Sequence, residues 1–159
     1  MGKGRIFHDL AAGVAAGATG TTALNAITYL DMAVRGRPAS GLPEKTVDAL
    51  TERLHVGLGP DEDARNREQG LGPMLGILTG IGVGLAYGLF RHSVRRVNGP
   101  AAAAGVGLAA AVASNLPMTS LGLTDPRTWG IGGWVSDLIP HLGYGAATVA
   151  AFELMRAGR

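Results

Sequence analysis

The chain has 159 residues, of which 47% are hydrophobic before its 26 glycines are counted and only 16% are charged, against about 25% charged in an average soluble domain. Positive mean hydropathy excludes intrinsic disorder, and a net charge of +2, with no basic run among aromatics, excludes a nucleic-acid module. The absence of cysteine excludes a disulfide scaffold, a thiolate metal site and a cysteine nucleophile.

What remains is an all-α, polytopic membrane protein in a single membrane domain. A bilayer core takes about 20 mostly apolar residues as helix. Lipid satisfies no stray backbone groups, so the alternatives are helices or a closed barrel. Barrel strands alternate over about 10 residues, and runs such as 101–104, all alanine, do not.

The first expected span is 10–34, with Asp31 near its end. Before it, the stretch Met1 to Arg5 resembles the start of a secretory signal. The apolar run is too long for a typical signal core, so we expect it to be retained. Ile6 stands where a myristoylation signal needs Ser or Thr.

Residues 35–70 form the one sizeable loop, too short for a core of its own. Within it, 43–56 reads as a short amphipathic helix. Pro43 suits its first turn, Glu44 suits the positive end of its dipole, and Val47, Leu50 and Leu54 share a face. It would lie on the bilayer, cap the bundle or dock a partner. Asp61, Glu62 and Asp63 lack the Gly and spaced Glu of a calcium loop and read as a solvated acidic turn before Arg65 and Arg67.

The second span, 71–90, carries no charge, and Gly72, Gly76, Gly80, Gly84 and Gly88 recur in it at every fourth position. Residues four apart share one helix face, so this span presents a bare glycine face along its length. In lipid such a face allows close van der Waals approach of another helix. Gly13 and Gly17 in span one, Gly105, Ala109 and Ala113 in span three, and Gly143, Ala147 and Ala151 in span four repeat the spacing. The pattern predicts a four-helix bundle with Gly/Ala-rich interfaces. The glycine face of span two serves either the bundle itself or a contact with another copy or another membrane protein.

The third and fourth spans are 101–123 and 134–155, the fourth containing Asp137, His141 and Glu153. Four spans place both termini on one side. Lys and Arg divide evenly between the sides but sit more densely around the terminal side, which predicts cytoplasmic termini. Ionisable groups inside a membrane raise a functional question. With this topology Asn25, Thr28, Tyr29, Asn115, Thr119, Ser120, Asp137 and His141 fall at similar depth. Asp137 and His141, four residues apart, share a face. A carboxylate can fix the tautomer of a neighbouring imidazole, the chemistry of a proton relay or a cation site. Pro117 and Pro140 free the carbonyls of Ala113 and Ser136, and interrupted helices at one depth resemble those around transporter sites. The same residues serve equally as interhelical glue or as contacts to a lipid, quinone or other small molecule. Glu153 pairs locally with Arg156, and Asp31 with Arg35.

No cofactor and no metal are expected. His8 and His92 are the one pair placed to meet as a bis-His haem site. No Walker loop, HExxH or nucleophile elbow occurs, and Gly80-x-Gly82-x-Gly84 follows no strand; no enzyme is expected. Asn25 and Asn115 hint at a duplicated hairpin.

Gly13 to Gly20, Gly36-Arg37-Pro38 with Leu42-Pro43-Glu44, and Asp137-Leu-Ile-Pro-His141-Leu-Gly-Tyr144 resemble small four-helix bacterial inner-membrane proteins of the YagU-like kind. The resemblance implies location in the bacterial inner membrane. Two functions follow as expectations: helix association, as an accessory or assembly subunit or a homo-oligomer; and proton or cation translocation through the Asp137–His141 pair.

Overall fold

The computed structural model describes residues 3–91 and 97–158, with side chains from residue 6 onward. Its helices are α1 (Lys3–Arg35), α2 (Leu42–Arg53), α3 (Asp61–Phe90), α4 (Gly99–Ser120) and α5 (Ile131–Ala157), with a 3-10 turn at Pro126–Thr128 before α5. Among the described residues there is no strand.

The ends of these helices follow from local chemistry. The Asn98 side chain accepts from the Ala101 amide at 2.9 Å and starts α4. Gly36 and Gly122, both at positive φ, end α1 and α4. Positive φ is open to glycine at little cost, and there the amides of Arg37 and Leu123 bond back to Met32 and Met118. The Asp125 carboxylate caps the 3-10 turn by accepting from the Arg127 amide at 3.0 Å.

The second helix of the expected bundle begins well before residue 71. α3 starts at Asp61, so the acidic triplet is a first helical turn rather than a loop. Three carboxylates at a helix N-terminus meet the positive end of the dipole, and Asp63 pairs with Arg67 one turn on, at 3.7 Å. The loop is accordingly shorter than 35–70. Within it α2 ends at Arg53, and Leu54, expected on its apolar face, is exposed beyond it. Val47 is buried as that face requires.

α1 is the hub. It packs along α3 on one side and α5 on the other; α4 packs on α5 and more lightly on α3, and α2 folds back against α3. The neighbours approach to backbone contact. A Cβ on Gly84 would sit 2.4 Å from Gly17 Cα, one on Gly13 2.7 Å from the Gly84 carbonyl oxygen, and one on Gly88 2.5 Å from the Asp9 carbonyl oxygen. The pairings Gly13–Gly84 and Gly17–Gly80 run in opposite senses, so α1 and α3 are antiparallel. A Cβ on Gly72 would meet Pro43 of α2 at 3.0 Å, and one on Gly76 would meet nothing.

α4 and α5 meet through different glycines from those expected. A Cβ on Gly107 would lie 2.6 Å from the His141 carbonyl oxygen, and one on Gly145 2.1 Å from that of Ala103. Gly105 faces open space, Ala109 is exposed, and Gly143 lies against Ile27 of α1. Two neighbouring small-residue rows run along α4, and spacing alone does not say which one meets a neighbour.

With backbones this close, alanine is the commonest core residue: Ala12, Ala16, Ala102 and Ala110 stand beside Val106 and Val149, with Tyr87, Tyr144 and Phe152 where the gaps widen. Tyr87 and Phe152 meet edge to face at 5.1 Å. The outside is apolar, and Leu78, Leu116 and Leu154 are more than half exposed. Among the described residues, three helices are long and apolar enough to cross a membrane: Ile6–Arg35, Asp61–Phe90 and Gly99–Ser120. α5 is of similar length but carries Asp137, His141, Glu153 and Arg156.

Candidate functional site

The expected polar constellation contracts to three residues. The Asn115 amide nitrogen of α4 lies 3.1 Å from both carboxylate oxygens of Asp137 on α5. Carboxylate oxygens of an ionised Asp only accept, so the amide must turn its N–H groups toward them. One turn on, His141 Nδ1 lies 2.7 Å from the Asp137 carbonyl oxygen and 3.6 Å from Oδ1. A carbonyl also only accepts, so Nδ1 is the protonated nitrogen, and in the neutral ring Nε2 keeps its lone pair. His141 is buried, and the Asp137 side chain is 17% exposed.

Backbone around the cluster is uncommitted. Pro140 has no N–H, so the Ser136 carbonyl loses its helical donor. The Ser136 hydroxyl oxygen is buried with no hydrogen-bond partner among the described residues. At the start of α5, Trp129 and Trp134 pack edge to face at 5.2 Å, and Trp129 Nε1 donates to Thr124 Oγ1 at 2.9 Å. His141 lies seven residues inside Trp134, about 10 Å at a helical rise of about 1.5 Å per residue.

The other expected members do not join. Tyr29 is 63% exposed, Thr119 is exposed, and Asn25 is half-buried on α1 with no hydrogen bond to the cluster. Pairing Asn25 or Tyr29 with α5 needs the rotation of α1 about its axis, and that is set by glycine contacts far along the chain. Thr119 lies one turn beyond Asn115, at the exposed end of α4. The haem pairing of His8 with His92 falls outside the described residues at His92.

A second polar cluster, missed in the sequence, lies at the opposite end of the bundle. Glu153 of α5 takes a hydrogen bond from Arg91 at the end of α3, pairs with Arg156 at 3.5 Å as expected, and meets the Tyr87 hydroxyl at 3.5 Å. Burial works against the Arg91 charge, but the Glu153 hydrogen bond and the neighbouring negative charge outweigh it and hold the group above its ordinary range. Arg156 also stands 5.9 Å over the Phe152 ring. The signal available was thin: Arg91 and Glu153 both lie at the C-terminal ends of their helices, α3 and α5, which run parallel and so finish on the same side. The Asp31–Arg35 pair is present at 3.3 Å, and Arg37 adds to it at 2.5 Å.

No family model, curated protein or solved structure matches this chain.

Proposed function

We propose that this is a multi-pass membrane protein, at home in a bacterial inner membrane with both termini cytoplasmic, that acts by helix association as an accessory or assembly subunit or as a homo-oligomer. Its apolar exterior and its three span-competent helices support the membrane part. α5 would make the fourth span, with Asp137 and His141 turned to α4 instead of lipid.

One observation carries the association part. The glycines of α3 are largely used inside the bundle, yet Gly105 and Ala109 of α4 face outward between exposed Leu108 and Val112. A small-residue row flanked by larger apolar side chains is the surface on which membrane helices pack closely. The partner is another copy of this chain or a different membrane protein. The test is native mass spectrometry of gently solubilised protein alongside Gly105→Leu. Loss of the assembly in the variant, with the bundle still folded by circular dichroism, supports the reading. An unchanged assembly, or a lone monomer in the parent protein, overturns it.

A second reading, proton or cation translocation, is favoured by the Asn115–Asp137–His141 cluster. Flux in liposomes, compared between the parent protein and Asp137→Asn, tests it; equal flux removes it.

A further inference from the structure

We propose that the Asn115–Asp137–His141 cluster is a proton-binding site and not a metal-cation site. The inference rests on the second reading for its location and names the ligand; it requires no translocation.

The donor geometry decides between the two ligands. A metal cation beside Asp137 would need a carboxylate oxygen and further lone pairs converging on one point. Here both carboxylate oxygens face the donor side of the Asn115 amide at 3.1 Å, which places partial positive charge in the cation's position. The imidazole turns Nδ1–H, a second donor, toward the same Asp137. The Asn115 amide thus donates to the carboxylate, and the imidazole N–H donates to the backbone carbonyl of the same residue.

The basic lone pair that the cluster retains is that of His141 Nε2. A proton adds to that lone pair, no bond breaks, and the ring becomes imidazolium. The charge that forms lies on a ring whose Nδ1 is 3.6 Å from Asp137 Oδ1. The site passes from a net charge of −1 to zero on loading and back on release. In a low-dielectric interior that change is large for so small a ligand.

Few other charges compete for the proton. α4 carries no ionisable residue between Gly99 and Ser120. On α1, Asp31 at the same end is held by Arg35 and Arg37, and Tyr29 is exposed. On α5 itself, Glu153 and Arg156 pair with each other at the far end.

The test is nitrogen-15 NMR of histidine-labelled protein in lipid nanodiscs across pH, with His141 assigned by its loss in His141→Gln. Neutral imidazole tautomers and imidazolium are distinguishable by their ring-nitrogen shifts. The expected result is the Nδ1–H tautomer at high pH, converting to imidazolium in one step on acidification. A ring that stays neutral wherever the protein is folded, or an Nε2–H tautomer at high pH, overturns the proposal. So does a one-to-one shift of the His141 signals on adding zinc or sodium ions. A titrating His141 in a protein without liposome flux supports the proton site while removing translocation.

Discussion

The Tyr144 hydroxyl of α5 donates to the Gly80 carbonyl of α3 at 2.6 Å, although α1 lies between the two helices. The bond exists because Gly20 of α1 has no side chain. A Cβ there would stand 2.8 Å from the Tyr144 ring and 2.0 Å from Thr148 Oγ1. One missing methyl group lets a ring pass its neighbour and tie three helices together.

Gly20→Ala therefore forces the ring aside or the helices apart, and overpacking of this kind costs about 1–3 kcal/mol. Tyr144→Phe keeps the ring and loses the hydrogen bond, at about 1 kcal/mol. The double variant loses less than the sum, since both changes act on one contact. Thermal unfolding in detergent measures all three; full additivity removes the link.

Glycines that look alike in the sequence should behave differently. Gly84→Ala places a methyl group against the Gly17 backbone, which cannot rotate away, and the α1–α3 pair should loosen by several degrees of Tm or more. Gly76→Ala and Gly105→Ala meet open space and should be neutral, or gain up to about 1 kcal/mol from helix propensity. Equal losses at Gly84 and Gly76 would contradict the packing.

At the α4–α5 contact, removing the amide is worse than neutralising the acid. Asn115→Ala leaves a mostly buried carboxylate without its donors, which costs about 1–3 kcal/mol. Asp137→Asn leaves two amides, which can still pair. Denaturation in mild detergent should rank Asn115→Ala as the less stable; the reverse order removes the Asn115–Asp137 bond as a structural element.

Glu153→Gln tests the opposite end. The Glu153 side chain is 39% exposed, so solvent screens its pairs with Arg91 and Arg156. The expected loss is at most about 1 kcal/mol, shrinking as salt is added. A larger, salt-independent loss would mean that the Tyr87 contact matters more than the charges.

The long apolar helices, and the level of a residue along them, are legible from the residues themselves. An uncharged run at 71–90 and two prolines at matching positions need no knowledge of neighbours, and they group Asn115 with Asp137 and His141 at one end without saying which of them meet. What lies beyond reach is rotation about a helix axis. Gly105 and Gly107 differ by two positions and face opposite ways, and only the contact with α5 selects Gly107. The start of α3 is hidden for another reason: Asp61 to Glu68 form a helix through dipole and pairing terms, without the apolar periodicity that marks the rest. Tyr144–Gly80 has no local signature, because its enabling residue, Gly20, lies on a third helix.

The seam between Gly13–Gly17 and Gly80–Gly84 joins stretches far apart in order of synthesis. At about 5–20 residues per second, the ribosome leaves α1 waiting several seconds for α3 and longer for α5. Throughout that interval its glycine trough is open to any helix that passes. A chain built around its first-made helix is most vulnerable to wrong pairing while it is being born, and a helper that occupied that trough during translation would protect it until its own later helices arrived.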